Sequence, residues 1–73
     1  MRLPILKPRD IIRILKRIEF VEARTTGGHL ILVNKESKKI IPVPIHNKDI
    51  KRGLLISIIK QTELTPEEFI KLR

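Results

Sequence analysis

The sequence has no cysteine, no tryptophan and no tyrosine, and its only aromatic residues are Phe20 and Phe69. Without cysteine there is no disulfide, and two histidines alone do not make a structural zinc site. A chain of 73 residues must then rest on a core worth only about 3–5 kcal/mol, unless a partner shares it. The near-absence of aromatics removes the platform on which bases stack in RNA-recognition motifs and single-strand-binding OB-folds. No apolar run approaches the ~20 residues of a membrane span, and the apolar stretch around Leu3–Leu6 is too short for a signal-peptide core. No glycine-rich loop enters a helix to cradle phosphate, because the one glycine pair, Gly27-Gly28, joins two expected strands. No paired carboxylates suggest acid–base work or a divalent-metal nuclease site, and Ser37 and Ser57 lie in no nucleophile-elbow context. These exclusions leave one small soluble domain spanning 1–73, expected in the cytoplasm, with no metal and no cofactor expected.

What is present is positive charge. Sixteen Lys and Arg stand against eight Asp and Glu, a net charge of +8. That is roughly one net positive charge for every nine residues, and it attracts polyanions, nucleic acid first among them. Hydrophobic residues make up 41% and charged residues 33%, which fits a folded domain rather than a disordered tail.

Hydrophobic spacing orders the elements. Pro8 to Ile18 carries Ile11, Ile12, Leu15 and Ile18 at helical intervals with Ile14 flanking, opposite a solvated face of Arg13, Lys16 and Arg17. Phe20 to Arg24 reads as a strand with Phe20, Glu22 and Arg24 on one side and Val21 and Ala23 on the other. After the Thr25–Gly28 turn, His29 to Val33 is a second strand, and Lys39 to Ile45 is a third. Pro42 and Pro44 lie two apart, so their missing N–H groups fall along one edge and make the third strand an edge strand. In an antiparallel meander the second strand is then central. It is apolar on both faces, with Leu30 and Leu32 on one and Ile31 and Val33 on the other. Asp49 to Gln61 returns to helical spacing with Leu54, Leu55, Ile58 and Ile59 as its buried stripe. A short last helix opens at Thr65-Pro66-Glu67-Glu68, with Thr65 as N-cap and Glu68 completing a capping box; Phe69 and Leu72 pack inward. The expected fold is α+β, ordered α-β-β-β-α, with helices on one face of a three-stranded antiparallel sheet. The other face is left open to a partner.

Two histidines stand among the cations. His29 follows the Gly27-Gly28 turn and opens the central strand, and His46 ends the edge strand. Histidine both takes up and releases a proton near neutrality, and nearby positive charge favours its neutral, basic form. RNA carries its own nucleophile, the 2′-hydroxyl. A ribonuclease needs only a group to move protons and cations to stabilise the phosphorane. On the residues alone, a histidine after a turn also fits a plain strand-end role.

The run Gly27-Gly28-His29-Leu30-Ile31-Leu32 is similar to the Gly-Ser-His-hydrophobic strand of the HicA-like toxins, the RNA-cleaving partners of HicA–HicB toxin–antitoxin pairs. Ile41-Pro42-Val43-Pro44-Ile45-His46, followed by Ile50-Lys51-Arg52-Gly53-Leu54-Leu55 and Ile58-Ile59-Lys60-Gln61, resembles that family's Pro-x-His strand end and basic Gly-x-Leu helix start. The closing Leu64-Thr65-Pro66-Glu67-Glu68-Phe69 resembles its usual ending. The resemblance implies a double-stranded-RNA-binding-like fold, metal-independent cleavage of mRNA, a HicB-like antitoxin, and His29 as the catalytic residue. Gly28 stands where the family carries serine, and Glu19 where glycine commonly precedes the aromatic of the first strand.

The expected RNA-contacting set is Arg24, Gly27, Gly28, Lys48, Lys51 and Arg52, the last three gathered near a helix N-terminus that favours anions. His46 is expected to be a structural strand-end residue. Two other functions fit the same chain: a non-catalytic RNA-binding module, and a protein-interaction domain that covers or self-associates through the open sheet face.

Overall fold

The computed structural model describes residues 3–46 and 48–73. Its elements are α1 (Pro8–Arg17), β1 (Val21–Thr26), β2 (His29–Asn34), β3 (Lys39–Pro44), α2 (Arg52–Thr62) and α3 (Pro66–Lys71). The three strands form one antiparallel sheet in the order β1-β2-β3. The order α-β-β-β-α is the one expected, and β2 is central. The proline argument holds in detail. The Ile45 N–H donates to the Gly28 carbonyl at 2.8 Å, so odd-numbered β3 residues bond β2 and Pro42 and Pro44 present their missing donors to the outer edge.

The core is built from Leu6, Ile11, Ile14, Leu15, Phe20, Leu32, Ile41, Val43, Ile50, Leu55, Ile58, Ile59 and Phe69, all buried. On α1 the centre of the buried face is Ile14 with Ile11 and Leu15, while Ile12 and Ile18 are only partly covered. The helix thus turns Ile14 inward rather than leaving it at the margin. Leu54 is also displaced from the expected stripe, being 37% exposed. Helix α2 starts three residues later than the hydrophobic spacing suggests. Ile50 is instead buried in an extended segment whose N–H donates to the Leu6 carbonyl at 2.8 Å.

Helix α1 ends in a paired-bond cap. The Phe20 N–H donates to Leu15 O at 3.0 Å and the Glu19 N–H to Lys16 O at 3.4 Å, with Glu19 left-handed at φ 74°. Phe20 and Leu15 are both buried beside that turn, the apolar contact that accompanies this cap. The last helix is closed by the expected reciprocal pair. The Glu68 N–H donates to Thr65 Oγ1 at 3.1 Å and the Thr65 N–H to Glu68 Oε1 at 2.8 Å.

The helices cover less of the sheet than expected. They pack on β3 and bury Leu32, Ile41 and Val43, whereas every residue of β1 is exposed. The register also corrects the first strand. Val21 pairs with Val33 and Glu22 with Leu32, but Arg24, not Ala23, pairs with Ile31. Ala23 is the extra residue of a β-bulge, and beyond it the side chains change faces. Arg24 therefore lies on the same face as Val21, the opposite of simple alternation.

Candidate active site

The glycine turn between β1 and β2 sets the position of His29. Gly27 sits at φ 56°, a backbone conformation that other residues adopt only at a cost. This lets Thr26 pair directly with His29. Leu30 and Leu32 are paired with Val43 and Ile41 on the helix-covered side. His29, Ile31 and Val33 consequently share the open face. His29 is exposed there. The bulge at Ala23 brings Arg24 to the same face, where it is the diagonal cross-strand neighbour of His29, about 7–8 Å away by backbone spacing and within reach of a long side chain. Without that extra residue the guanidinium would leave from the other side of the sheet.

His46 belongs to the same end of the molecule. The Ile45–Gly28 hydrogen bond continues the β2–β3 ladder past Pro44, and the imidazole of the next residue lies against Gly28. A Cβ placed on Gly28 would stand 3.0 Å from His46 Cδ2 and 3.9 Å from its Nε2. Gly28 thus has a steric duty beyond the turn: it leaves room for a ring. The sequence treats His46 as the end of a strand, and only pairing between strands places it beside the turn that carries His29.

The expected phosphate contacts divide into two groups. Lys48 lines a cleft with Lys7, Pro8, Arg9 and Ile45, whereas Arg52 lines a separate depression with Leu3, Pro4, Ile5, Ile50 and Leu55. Lys51 is the N-cap of α2 and Arg52 its first residue; the first turn of this helix has no acidic side chain to offset its positive end. Helix α1 differs, because the Asp10 carboxylate accepts the Lys7 N–H at 2.9 Å and lies 3.9 Å from Arg13. Lys7 and Arg9 were not apparent as site residues in the sequence. Their only signal is the placement of two cations around the proline that starts α1. Lys16 is engaged in an ion pair with Glu22, and Lys39 contacts the Glu63 carboxylate at 2.5 Å and the Gln61 carbonyl at 2.8 Å. These two cations are occupied with structural contacts.

Residues 8–64 match the family model described as HicA toxin of bacterial toxin-antitoxin. The chain belongs to the HicA toxin family. The matched segment runs from the first residue of α1 to two residues beyond α2 and holds His29, His46, Arg24 and the cations from Lys48 to Arg52. Of the closing run Leu64–Phe69, only Leu64 lies inside it. Membership of a HicA toxin family implies an antitoxin partner. No curated relative matches the chain. Among the described residues, no helix is long and apolar enough to cross a membrane, and no three His, Asp or Glu side chains are grouped as metal ligands.

Proposed function

We propose that this chain is the toxin of a HicA–HicB pair, a single-domain cytoplasmic endoribonuclease that cleaves mRNA without a metal. The observation that carries this reading is the exposed His29, held on the open sheet face by a glycine turn, with Arg24 on the same face of the adjacent strand. A neutral His29 imidazole takes the proton of a 2′-hydroxyl, and the freed oxygen attacks the adjacent phosphorus. Arg24 and the other nearby cations stabilise the charge of the phosphorane. The P–O5′ bond then breaks, giving a 2′,3′-cyclic phosphate and, once protonated, a 5′-hydroxyl. Gly27, with open space where a side chain would stand, lets the RNA backbone approach, and Lys48, Lys51 and Arg52 bind flanking phosphates. The test is an RNA-cleavage assay on wild type and His29→Ala, each with and without a chelator. Wild type should cut equally well with chelator present, and His29→Ala should lose about 10²–10⁴-fold in rate. Undiminished cleavage by a rigorously purified His29→Ala protein would remove His29 from the reaction. RNA binding without cleavage by the wild type would favour a binding module on the same fold.

A further inference from the structure

We infer that the cleft between the start of α1 and the segment after β3 is a phosphate site for the RNA strand, with Lys7 and Arg9 joining Lys48 as its cations. The inference rests on the ribonuclease reading and extends the RNA contact to a part of the chain that reading does not use. Lys7, Pro8, Arg9, Ile45 and Lys48 line the cleft, and its three cationic side chains are exposed. No carboxylate lines it. Among the described residues the ion pairs are Arg13–Asp10, Lys16–Glu22 and Lys39–Glu63, so none of the three cations is paired. Asp10, the acid nearest in sequence to Lys7 and Arg9, is engaged elsewhere. It accepts the Lys7 backbone N–H at 2.9 Å and lies 3.9 Å from Arg13. Because that bond also closes the first turn of α1, the attraction of the cleft is that of its side chains and not of a bare helix end.

The fold brings these cations together from distant parts of the chain. The Ile50 N–H donates to the Leu6 carbonyl at 2.8 Å, tying the segment that carries Lys48 to the one that carries Lys7. Pro8 is buried and fixes φ where the chain enters α1. A cleft lined by one sign of charge focuses its field and concentrates counter-ions. The planar fork of Arg9 matches two oxygens of a phosphate, and the two ammonium groups act as point charges beside it. At about 260 Å³ the cleft is smaller than pockets that enclose a whole drug-sized ligand. It suits one phosphodiester of a passing strand better than a free nucleotide. Its place favours RNA as well. The Ile45 N–H donates to the Gly28 carbonyl at 2.8 Å, and Gly28 adjoins His29, so the Ile45 Cα is within about 10 Å of the His29 Cα by backbone spacing. By that register Ile45 follows Ile41 and Val43 on the helix-covered side, whereas His29 is on the open one. The cleft and His29 thus share one end of the sheet from opposite faces, and a strand cut at His29 reaches the cleft over that end, where Gly27 leaves open space. The exposed apolar residues Val21 and Ile40 are at the other end of the sheet, away from the cleft, where a protein partner finds more to bury.

The test compares charge removed from the cleft with charge removed elsewhere. In a His29→Ala background, which holds RNA without cutting it, binding of a single-stranded RNA of mixed sequence is measured over a range of salt. Lys7→Gln and Arg9→Gln should each lower the slope of log affinity against log salt by about 0.7, one phosphate contact on a single strand. Arg17→Gln, which removes the same charge from the far end of α1, should leave the slope unchanged. With His29 restored, Lys7→Gln combined with Arg9→Gln should raise KM for a long RNA about tenfold and keep kcat within about twofold of wild type. On a dinucleotide, whose single phosphodiester is the bond cut, the same protein should match wild type. Slopes indistinguishable from that of Arg17→Gln, or equal losses on long RNA and dinucleotide, overturn the inference while leaving the ribonuclease intact. Weaker binding of polyglutamate by the double variant, with RNA affinity unchanged, would make the cleft a protein contact and also overturn it. A wild type that cuts no RNA while the slopes change as expected sinks the ribonuclease reading and leaves the cleft; one that binds no RNA sinks both.

Discussion

Position 19 has a glutamate in a left-handed conformation, φ 74°, at the point where α1 must stop for Phe20 to enter the core. An L-residue there costs roughly 1–2 kcal/mol, and a carboxylate at a helix C-terminus meets the negative end of the dipole. Glu19→Gly should therefore raise stability by about 0.5–1 kcal/mol after the added freedom of the unfolded chain is counted, seen as a higher urea midpoint with RNA cleavage unchanged. Unaltered or lower stability would show that the turn tolerates glutamate at no cost. Glu63 is also left-handed, at φ 64°, but its side chain is engaged. The Lys39 ammonium, by hydrogen bond and then by charge, lowers the Glu63 pKa, so glycine at that position would remove a contact as well as a strain. His29 differs from both, being exposed and in an ordinary strand conformation. His29→Ala should change stability by less than about 1 kcal/mol, checked by the same denaturation curve, so any loss of cleavage would be chemical.

Among the elements, α3 shows how a local code becomes a measurable quantity. Thr65 and Glu68 satisfy two backbone donors reciprocally, and Phe69 of the same helix is fully buried. Thr65→Ala should cost about 1 kcal/mol, read from the thermal or urea midpoint at neutral pH. The Glu68 pKa is lowered, first by the bond from the Thr65 backbone N–H and then by the Thr65 side chain. A carboxyl whose folded pKa is depressed adds stability above its unfolded pKa and loses it as pH falls through the folded one. The difference between wild type and Glu68→Gln should accordingly narrow as pH drops below the usual glutamate range; a constant difference would mean that the carboxylate's bond from the Thr65 N–H does not form in solution. This cap was legible in sequence because all its partners lie within four residues, and the edge position of β3 was legible because proline removes a donor wherever it stands. The face of Arg24 was not legible, since a bulge is a property of the pairing between β1 and β2 and leaves no mark on β1 alone. The same holds for His46 beside Gly28 and for Lys7 and Arg9 beside Lys48. Each depends on contacts across 18 or more positions in the chain.

At the scale of the whole molecule, the helices are gathered over β3 and β2, leaving a sheet face with Val21 46% and Ile40 60% exposed around the pairs Val21–Val33 and Val33–Ile40. The net charge of +8 acts together with this face. RNA affinity should fall steeply with salt. Removing Lys48, Lys51 or Arg52 should each reduce the slope of log affinity against log salt by roughly one contact's worth; unchanged slopes in all three would place the RNA elsewhere. The same surface suits the antitoxin. An acidic protein is drawn to a basic one and oriented by it, while the exposed apolar pairs supply the area to be buried. Because His29 shares that face with Ile31 and Val33, a partner seated on the apolar pairs also covers the imidazole and Arg24. Inhibition then needs no change in the toxin's shape. We predict a complex with an acidic HicB-like antitoxin in which His29 is buried and the toxin backbone matches its free form. Charge substitution in the apolar patch, as in Ile40→Glu, should weaken the complex by tenfold or more in Kd, with about 1.4 kcal/mol for each factor of ten. Since Ile40 is at the far end of β3 from Pro44, which pairs with His29, RNA cleavage by the free variant should persist. A complex that leaves His29 open and still admits RNA would rule out occlusion as the means of control.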